Sequence, residues 1–106
     1  MEPKIQVEAH EKYVKWRAKL RDQQAKARIA ARVRRIREKG DFGDHKFLRD
    51  GVWELKIDYG PGYRVYYTRV GNEIILLLGG GDKSTQEHDI ERAIMLAKEI
   101  KLENEN

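Results

Sequence analysis

Apolar and polar positions along the chain change period several times, and each change marks an element. Ile5 and Val7 alternate with Gln6 and Glu8, so Lys4 to Glu8 predicts a short first strand. From Ala9 to Leu20 the spacing turns helical, with Tyr13, Trp16 and Leu20 in phase. Arg21-Asp22 punctuates the pattern, and Asp22 is suited to cap the next helix. From Gln23 to Lys39 an apolar stripe (Ala25, Ile29, Val33, Ile36) runs beside a stripe of Arg28, Arg32 and Arg35, widened by Arg34 and Arg37. This is an amphipathic helix with an apolar back and an arginine front, stopped by Gly40.

Asp41 to Asp44 reads as a loop, His45 to Arg49 as a lead into the sheet, and Asp50-Gly51 as a turn. Strands follow at about Val52 to Tyr59, Tyr63 to Val70 and Glu73 to Leu78. Gly60-Pro61-Gly62 and Gly71-Asn72 are the turns of an antiparallel meander. Alternation sends Trp53, Leu55, Ile57, Tyr59, Tyr63, Val65 and Tyr67 to one face. Glu54, Lys56, Asp58, Arg64, Tyr66 and Thr68 go to the other. Ile74 to Leu78 is apolar throughout, which predicts a central strand covered on both faces. Gly79-Gly80-Gly81 predicts a flexible exit. Ser84 or Thr85 can cap a last helix with Glu87 near its start and Ile90, Ala93, Ile94, Ala97 and Ile100 as its buried stripe. Lys101 to Asn106 is a polar tail expected to fray from about 102. Helices and strands segregate, so the fold class is α+β: a small, mainly antiparallel sheet with an N-terminal helical hairpin on one face and a C-terminal helix, all in one domain spanning 1–106.

Composition narrows the function. The 106 residues suit one domain, and one of this size buries about two-thirds of its unfolded surface, so a core needs no staples. With no cysteine, disulfides and thiolate metal sites are excluded. No apolar run approaches a membrane span, and no signal-peptide segment opens the chain, so a cytoplasmic location without membrane contact is expected. Charge is segregated: Lys12 to Lys39 holds 12 basic and 2 acidic residues, and Ser84 to Asn106 holds 3 basic and 6 acidic. A basic block favours nucleic acid or an acidic protein partner, and equally describes a solvated helix face. Lys56 and Arg64 put one cation on each of two neighbouring strands, on the same face, where phosphate is the obvious ligand.

These residues resemble the RelE/ParE superfamily of toxins, and within it the HigB-like addiction-module killer proteins. The matching features are Trp16 and Leu20, the Ile29/Arg32/Ile36/Arg37 helix, Gly43-Asp44, the Gly51-to-Tyr67 hairpin, Gly80-Gly81-Asp82-Lys83 with Ser84, and Asp89-Ile90 through Ala93. They span roughly residues 5 to 100. The resemblance implies the toxin of a type II toxin-antitoxin pair: a ribosome-dependent mRNA endoribonuclease needing no metal or cofactor. In such enzymes the 2′-hydroxyl attacks the adjacent phosphate. The implied partners are a cognate antitoxin, in a complex that can be a heterotetramer, and the ribosome with its mRNA. ParE-like members share the fold but inhibit DNA gyrase, and an inactive relative that only binds is a third reading.

The resemblance also distributes roles. Arg64 follows Gly62-Tyr63 where the family places a phosphate-contacting arginine; otherwise it pairs with Glu54 or Asp58. Lys56 and Lys83 are the other catalytic candidates, each alternatively a surface lysine. Glu54 stands where RelE has a further lysine and reads as a cross-strand salt-bridge partner, with a base as the alternative. Ile90 falls on or near the position of a catalytic tyrosine in RelE; His88 close by, or His45, is the candidate proton carrier, with an ordinary surface role as the alternative for each. Arg28, Arg32, Arg35, His45, Lys46 and Tyr66 complete the RNA-binding candidates. The arginines would track phosphates, and Tyr66 would stack on a base or within a second small core.

Overall fold

The computed structural model describes residues 5–105 other than Asn72. In chain order the elements are β1 (Gln6–Ala9), α1 (Glu11–Lys19), α2 (Gln23–Lys39), β2 (His45–Arg49), β3 (Val52–Ile57), β4 (Tyr63–Val70), β5 (Ile74–Asp82) and α3 (Gln86–Glu105). A 3-10 turn, Lys83–Thr85, precedes α3. The strands form one sheet in the order β1-β5-β4-β3-β2. It is antiparallel except for β1, which runs parallel to β5. The α+β class and the meander are as the pattern predicts. Lys4, Asn72 and Asn106, included in the expected first strand, turn and tail, lie outside the described residues.

Local chemistry sets the long basic helix. The Asp22 carboxylate accepts from the backbone N–H groups of Gln24 (2.9 Å) and Ala25 (3.2 Å), satisfying two of the donors a helix start leaves open. Asp22 also accepts from the Tyr59 hydroxyl at 3.0 Å, which ties the start of α2 to the turn after β3. Gly40 ends α2 in the left-handed region at φ 65°, where a side chain would be strained.

The sheet is covered on both faces. Tyr13, Ile29, Val33 and Ile36 of the α1–α2 hairpin pack on Leu55, Ile57, Val65, Tyr67, Ile75 and Leu77. On the opposite face Ile90, Ala93, Ile94 and Leu96 of α3 pack on Val52, Tyr66 and Leu78. The run Ile74 to Leu78 therefore feeds two cores, as its unbroken apolar character requires. A bulge in β5 assists. Tyr67 pairs with Leu77 and Tyr66 with Gly79, so Leu78 is an inserted residue beside Tyr66, directed to the α3 side.

Several expectations are corrected. His45–Arg49 is a strand, not a lead-in, and forms the outer edge of the sheet. Gly79-Gly80-Gly81 is no flexible exit; it continues β5 opposite Tyr66, Val65 and Arg64. A Cβ on Gly80 would lie 2.4 Å from the Trp16 ring, and one on Gly81 would lie 1.9 Å from Asp89 Oδ2. The glycines thus let α1 and α3 close on the strand. Asp82 caps the 3-10 turn that precedes α3, accepting from Ser84 N at 2.8 Å and Ser84 Oγ at 2.5 Å. These bonds hold the Asp82 carboxyl below its ordinary value. Lys101 to Glu105 continue α3 where a frayed tail was expected. Strand β3 ends at Ile57, so Asp58 and Tyr59 belong to the turn.

Candidate functional site

Adjacent strands place Lys56 directly opposite Arg64, and Arg64 opposite Gly81. Lys83 leaves the end of β5 beside the β3–β4 turn, where a Cβ on Gly62 would lie 3.7 Å from Lys83 Cβ and 3.5 Å from Arg64 Nη1. Lys56, Arg64 and Lys83 consequently line one pocket of about 340 Å³ with Asp44, Asp58 and the Gly60-Pro61-Gly62 turn. Gly60 and Gly62 have φ of 58° and 81°, so the rim is backbone that only glycine adopts readily. Three cations around a small open pocket can hold a compact anion such as a phosphate.

Arg64 is less exposed than its strand position suggests. Its side chain is 12% exposed, with Nε 3.6 Å from Glu54 Oε1 and Nη1 donating to Gly62 O at 3.1 Å. The Nε contact is an ion pair without a hydrogen bond, since Nε has no hydrogen-bond partner among the described residues. A guanidinium carries five N–H donors, and these contacts engage only part of them. The face that alternation assigns to Arg64 is therefore not open solvent: the group is clamped by Glu54 behind it, one of the two partners its strand position allows. Glu54 is buried and also accepts from Gln86 Nε2 at 3.2 Å. The cross-strand pairing expected for it is present, and it links the sheet to the start of α3.

The remaining candidates are dispersed. Tyr66 is fully buried beneath α3 and its hydroxyl has no partner among the described residues, so it offers no face to a base. Burial pushes its phenol well above the ordinary value, with the Glu54 charge adding to the effect. His88 is exposed on α3, about two turns of 100° from both Gln86 and Ile90, which face the sheet; it points away from the pocket. His45 lies on the α1–α2 side of the sheet, paired in register with Leu55, its Nδ1 2.8 Å from Gly43 O. The structure thus brings neither histidine to the three cations. Lys46, exposed and opposite Glu54, shares their face on the edge strand.

The α2 arginines divide as well. Arg32 donates to three backbone carbonyls: Lys56 O, Phe42 O at 2.8 Å and Asp44 O at 3.0 Å. It clips the 41–44 loop to β3, and burial draws its pKa down against the opposing Asp44 charge. Arg35 pairs with Asp41, and Arg28 stacks 4.6 Å above the Tyr59 ring. Arg28 and Arg35 line a groove that shares Ile57 and Asp58 with the pocket. Among the described residues no cluster of three or more His, Asp or Glu side chains is placed to hold a metal ion. Nor is any described helix long and apolar enough to cross a membrane.

This architecture is the RelE fold. An arginine-to-alanine double mutant of E. coli toxin RelE in the free state matches with a TM-score of 0.63, 13% identity, and coverage of 81% of this chain and 92% of that one. The intact E. coli RelBE toxin-antitoxin complex gives a TM-score of 0.60, 15% identity, and coverage of 74% and 95%. The chain belongs to the family described as phage derived protein Gp49-like (DUF891), whose model matches residues 18–101. A relative from Haemophilus influenzae, described as an uncharacterized protein, is 46% identical over 98 residues, 92% of this chain and 98% of the relative.

Proposed function

We propose that this protein is the toxin of a type II toxin-antitoxin pair, HigB-like in character, and cleaves mRNA on the ribosome without a metal. The observation that carries the reading is the convergence of Lys56, Arg64 and Lys83 on one pocket with a glycine rim, on the fold that RelE has. In the proposed reaction the ribose 2′-oxygen attacks the adjacent phosphorus and the bond from phosphorus to the 5′-oxygen breaks. The 2′-proton leaves to a base, and the departing 5′-oxygen takes one up. The three cations neutralise the charge that grows on the phosphoryl oxygens, where fixed charges act most strongly. A lysine ammonium at the pocket donates to the 5′-oxygen. His88 and His45 have no part in this scheme, because neither reaches the pocket. With neither histidine in reach, the 2′-proton passes to an acceptor on the ribosomal RNA, such as a phosphate oxygen or a base nitrogen. A cognate antitoxin is the proposed partner, by likeness to a toxin whose complex with its antitoxin is solved.

The absence of an imidazole from the pocket favours one second reading, a ParE-like gyrase inhibitor that binds and breaks no bond. Mapping transcript 5′ ends after induction, beside a DNA supercoiling assay, separates the two. Cuts within translated codons support the nuclease. Gyrase-dependent DNA breaks with intact transcripts replace it with the inhibitor.

A further inference from the structure

On the α1–α2 side of the sheet, at its β2 edge, planar side chains collect from three strands and a loop. Phe47 meets Trp53 edge-on at 5.0 Å between centroids, and His45 lies 6.0 Å from Trp53. Trp53 and Phe42 stack on Tyr67 at 6.2 and 5.7 Å. The Arg69 guanidinium caps the group, 4.7 Å above Phe42 and 4.9 Å above Trp53. This is not an ordinary core edge. Phe47 is 50% exposed, His45 and Arg69 are exposed, and Trp53 and Phe42 are half-buried.

Charge selects the occupant. No carboxylate pairs with Arg69 among the described residues. Of the acids on the adjoining loop, Asp41 is engaged by Arg35 and Asp44 sits beside Arg32. Exposed rings interleaved with an unpaired cation suit unpaired bases. Every base has a face that stacks on an aromatic ring or a guanidinium plane, and its phosphates favour the positive charge. The open ring surface is that of Phe47 and His45, beside the outer side of the Arg69 guanidinium that covers Phe42 and Trp53, and an aliphatic protein surface would leave that cation without a partner charge.

We propose that His45, Phe47, Trp53 and Arg69 form a stacking platform for unpaired bases of a single-stranded nucleic acid. It lies on the face opposite Lys56 and Arg64, so it stands whether or not the protein cleaves RNA.

The test is NMR of the two tryptophan indole N–H signals during titration with a short, unstructured 2′-O-methyl oligonucleotide, which can be bound but not cleaved by 2′-attack. The expected result is a saturable shift of Trp53 with Trp16 unmoved. A combined Phe47→Ala and Arg69→Gln variant should weaken the affinity on the order of tenfold or more. Both positions are solvent-accessible, and the Trp16 signal reports whether the variant is folded. If it is not, the wild-type titration decides alone. A Trp53 signal that stays still overturns the proposal, as does unchanged affinity in a folded variant. So does a Trp53 shift that follows protein concentration without oligonucleotide, which assigns the surface to a second copy of the chain.

Discussion

Arg64 lies diagonally across the β3–β4 pair from Glu54, its Nε 3.6 Å from a carboxylate that is 1% exposed. The cation thus serves the fold and the pocket together. Arg64→Ala should strip the buried Glu54 of its countercharge and lower stability by about 1–3 kcal/mol, less than a fully buried, well-bonded pair would lose. Adding Glu54→Gln should restore much of that loss without restoring growth arrest. Thermal melts beside induction assays check this. A single variant that melts like wild type would remove the structural half of the assignment, and a toxic, stable double variant would remove the functional half.

Lys56 and Lys83 separate more cleanly. Lys83 is exposed and Lys56 half-buried, and no carboxylate pairs with either among the described residues. Substitution of either by alanine should leave Tm within about 2 °C, as surface changes near ±0.5 kcal/mol do. Growth arrest should fall at least tenfold by colony counts. Survival equal to that of cells expressing the wild-type toxin would clear that lysine of a role.

Gly81→Ala should be costly for a reason other than backbone conformation. Its new Cβ would meet Asp89 Oδ2 at 1.9 Å, displacing that carboxylate and breaking the bond from Thr85 Oγ1 to Asp89 Oδ2 in the first turn of α3. Overpacking of this kind costs about 1–3 kcal/mol. Hydrogen exchange should rise across residues 84–90 more than in α2. Gly79→Ala, with nothing within 4 Å of its Cβ, is the control and should be mild.

Arg32→Ala should loosen the 41–44 loop, because three carbonyls lose their donor at once. A loss of about 2 kcal/mol is expected, with faster exchange at Gly43 and Asp44. An arginine that only met RNA phosphates would leave Tm unchanged on substitution, so the melt distinguishes the two roles.

Alkaline stability should decline through the buried phenols. Burial raises the Tyr67 pKa to about 12 and moves Tyr66 and Tyr13 in the same direction. A pKa raised on folding contributes stability that is complete below the unfolded value of about 10 and is lost as pH rises through the folded value. For Tyr67 the window is therefore about pH 10 to 12. Because the Tyr66 and Tyr67 hydroxyls have no partner among the described residues, phenylalanine at either site should cost little at neutral pH and flatten the alkaline fall. A large neutral-pH penalty would reveal a bond to either hydroxyl.

The sequence made some of this legible for definite reasons. Helix α2 has the expected bounds because Asp22 and Gly40 are strong terminators and its stripe is long. The facing of β3 and β4 followed from alternation, which brings Lys56 and Arg64 together. Strand β2 escaped notice because an edge strand buries little, and His45 to Arg49 carries three basic residues with an exposed Phe47. Gly79 to Gly81 has no side chains to alternate, and the demand for glycine at Gly80 and Gly81 comes from Trp16 and Asp89, distant in the chain. Tyr66 stayed open between a base and a second small core, and the depth of Glu54 went unseen, because the pattern gives their face but not the helix that covers it. The histidines were placed by proximity along the chain, which does not fix helix phase or sheet side. The aromatic cluster needed β2 as a strand before Phe47 and Trp53 became neighbours.

The extra leucine in β5 also meters distance. With Leu78 drawn into the ladder as an ordinary rung, every later residue would advance one place, carrying Lys83 about 3.3 Å past its present station. Trp16 would then lie over Gly79, which leaves it room, but the start of α3, only three residues past Lys83, would be carried along. The irregularity therefore fixes the reach of the Lys83 ammonium together with the seat of α3 on the sheet.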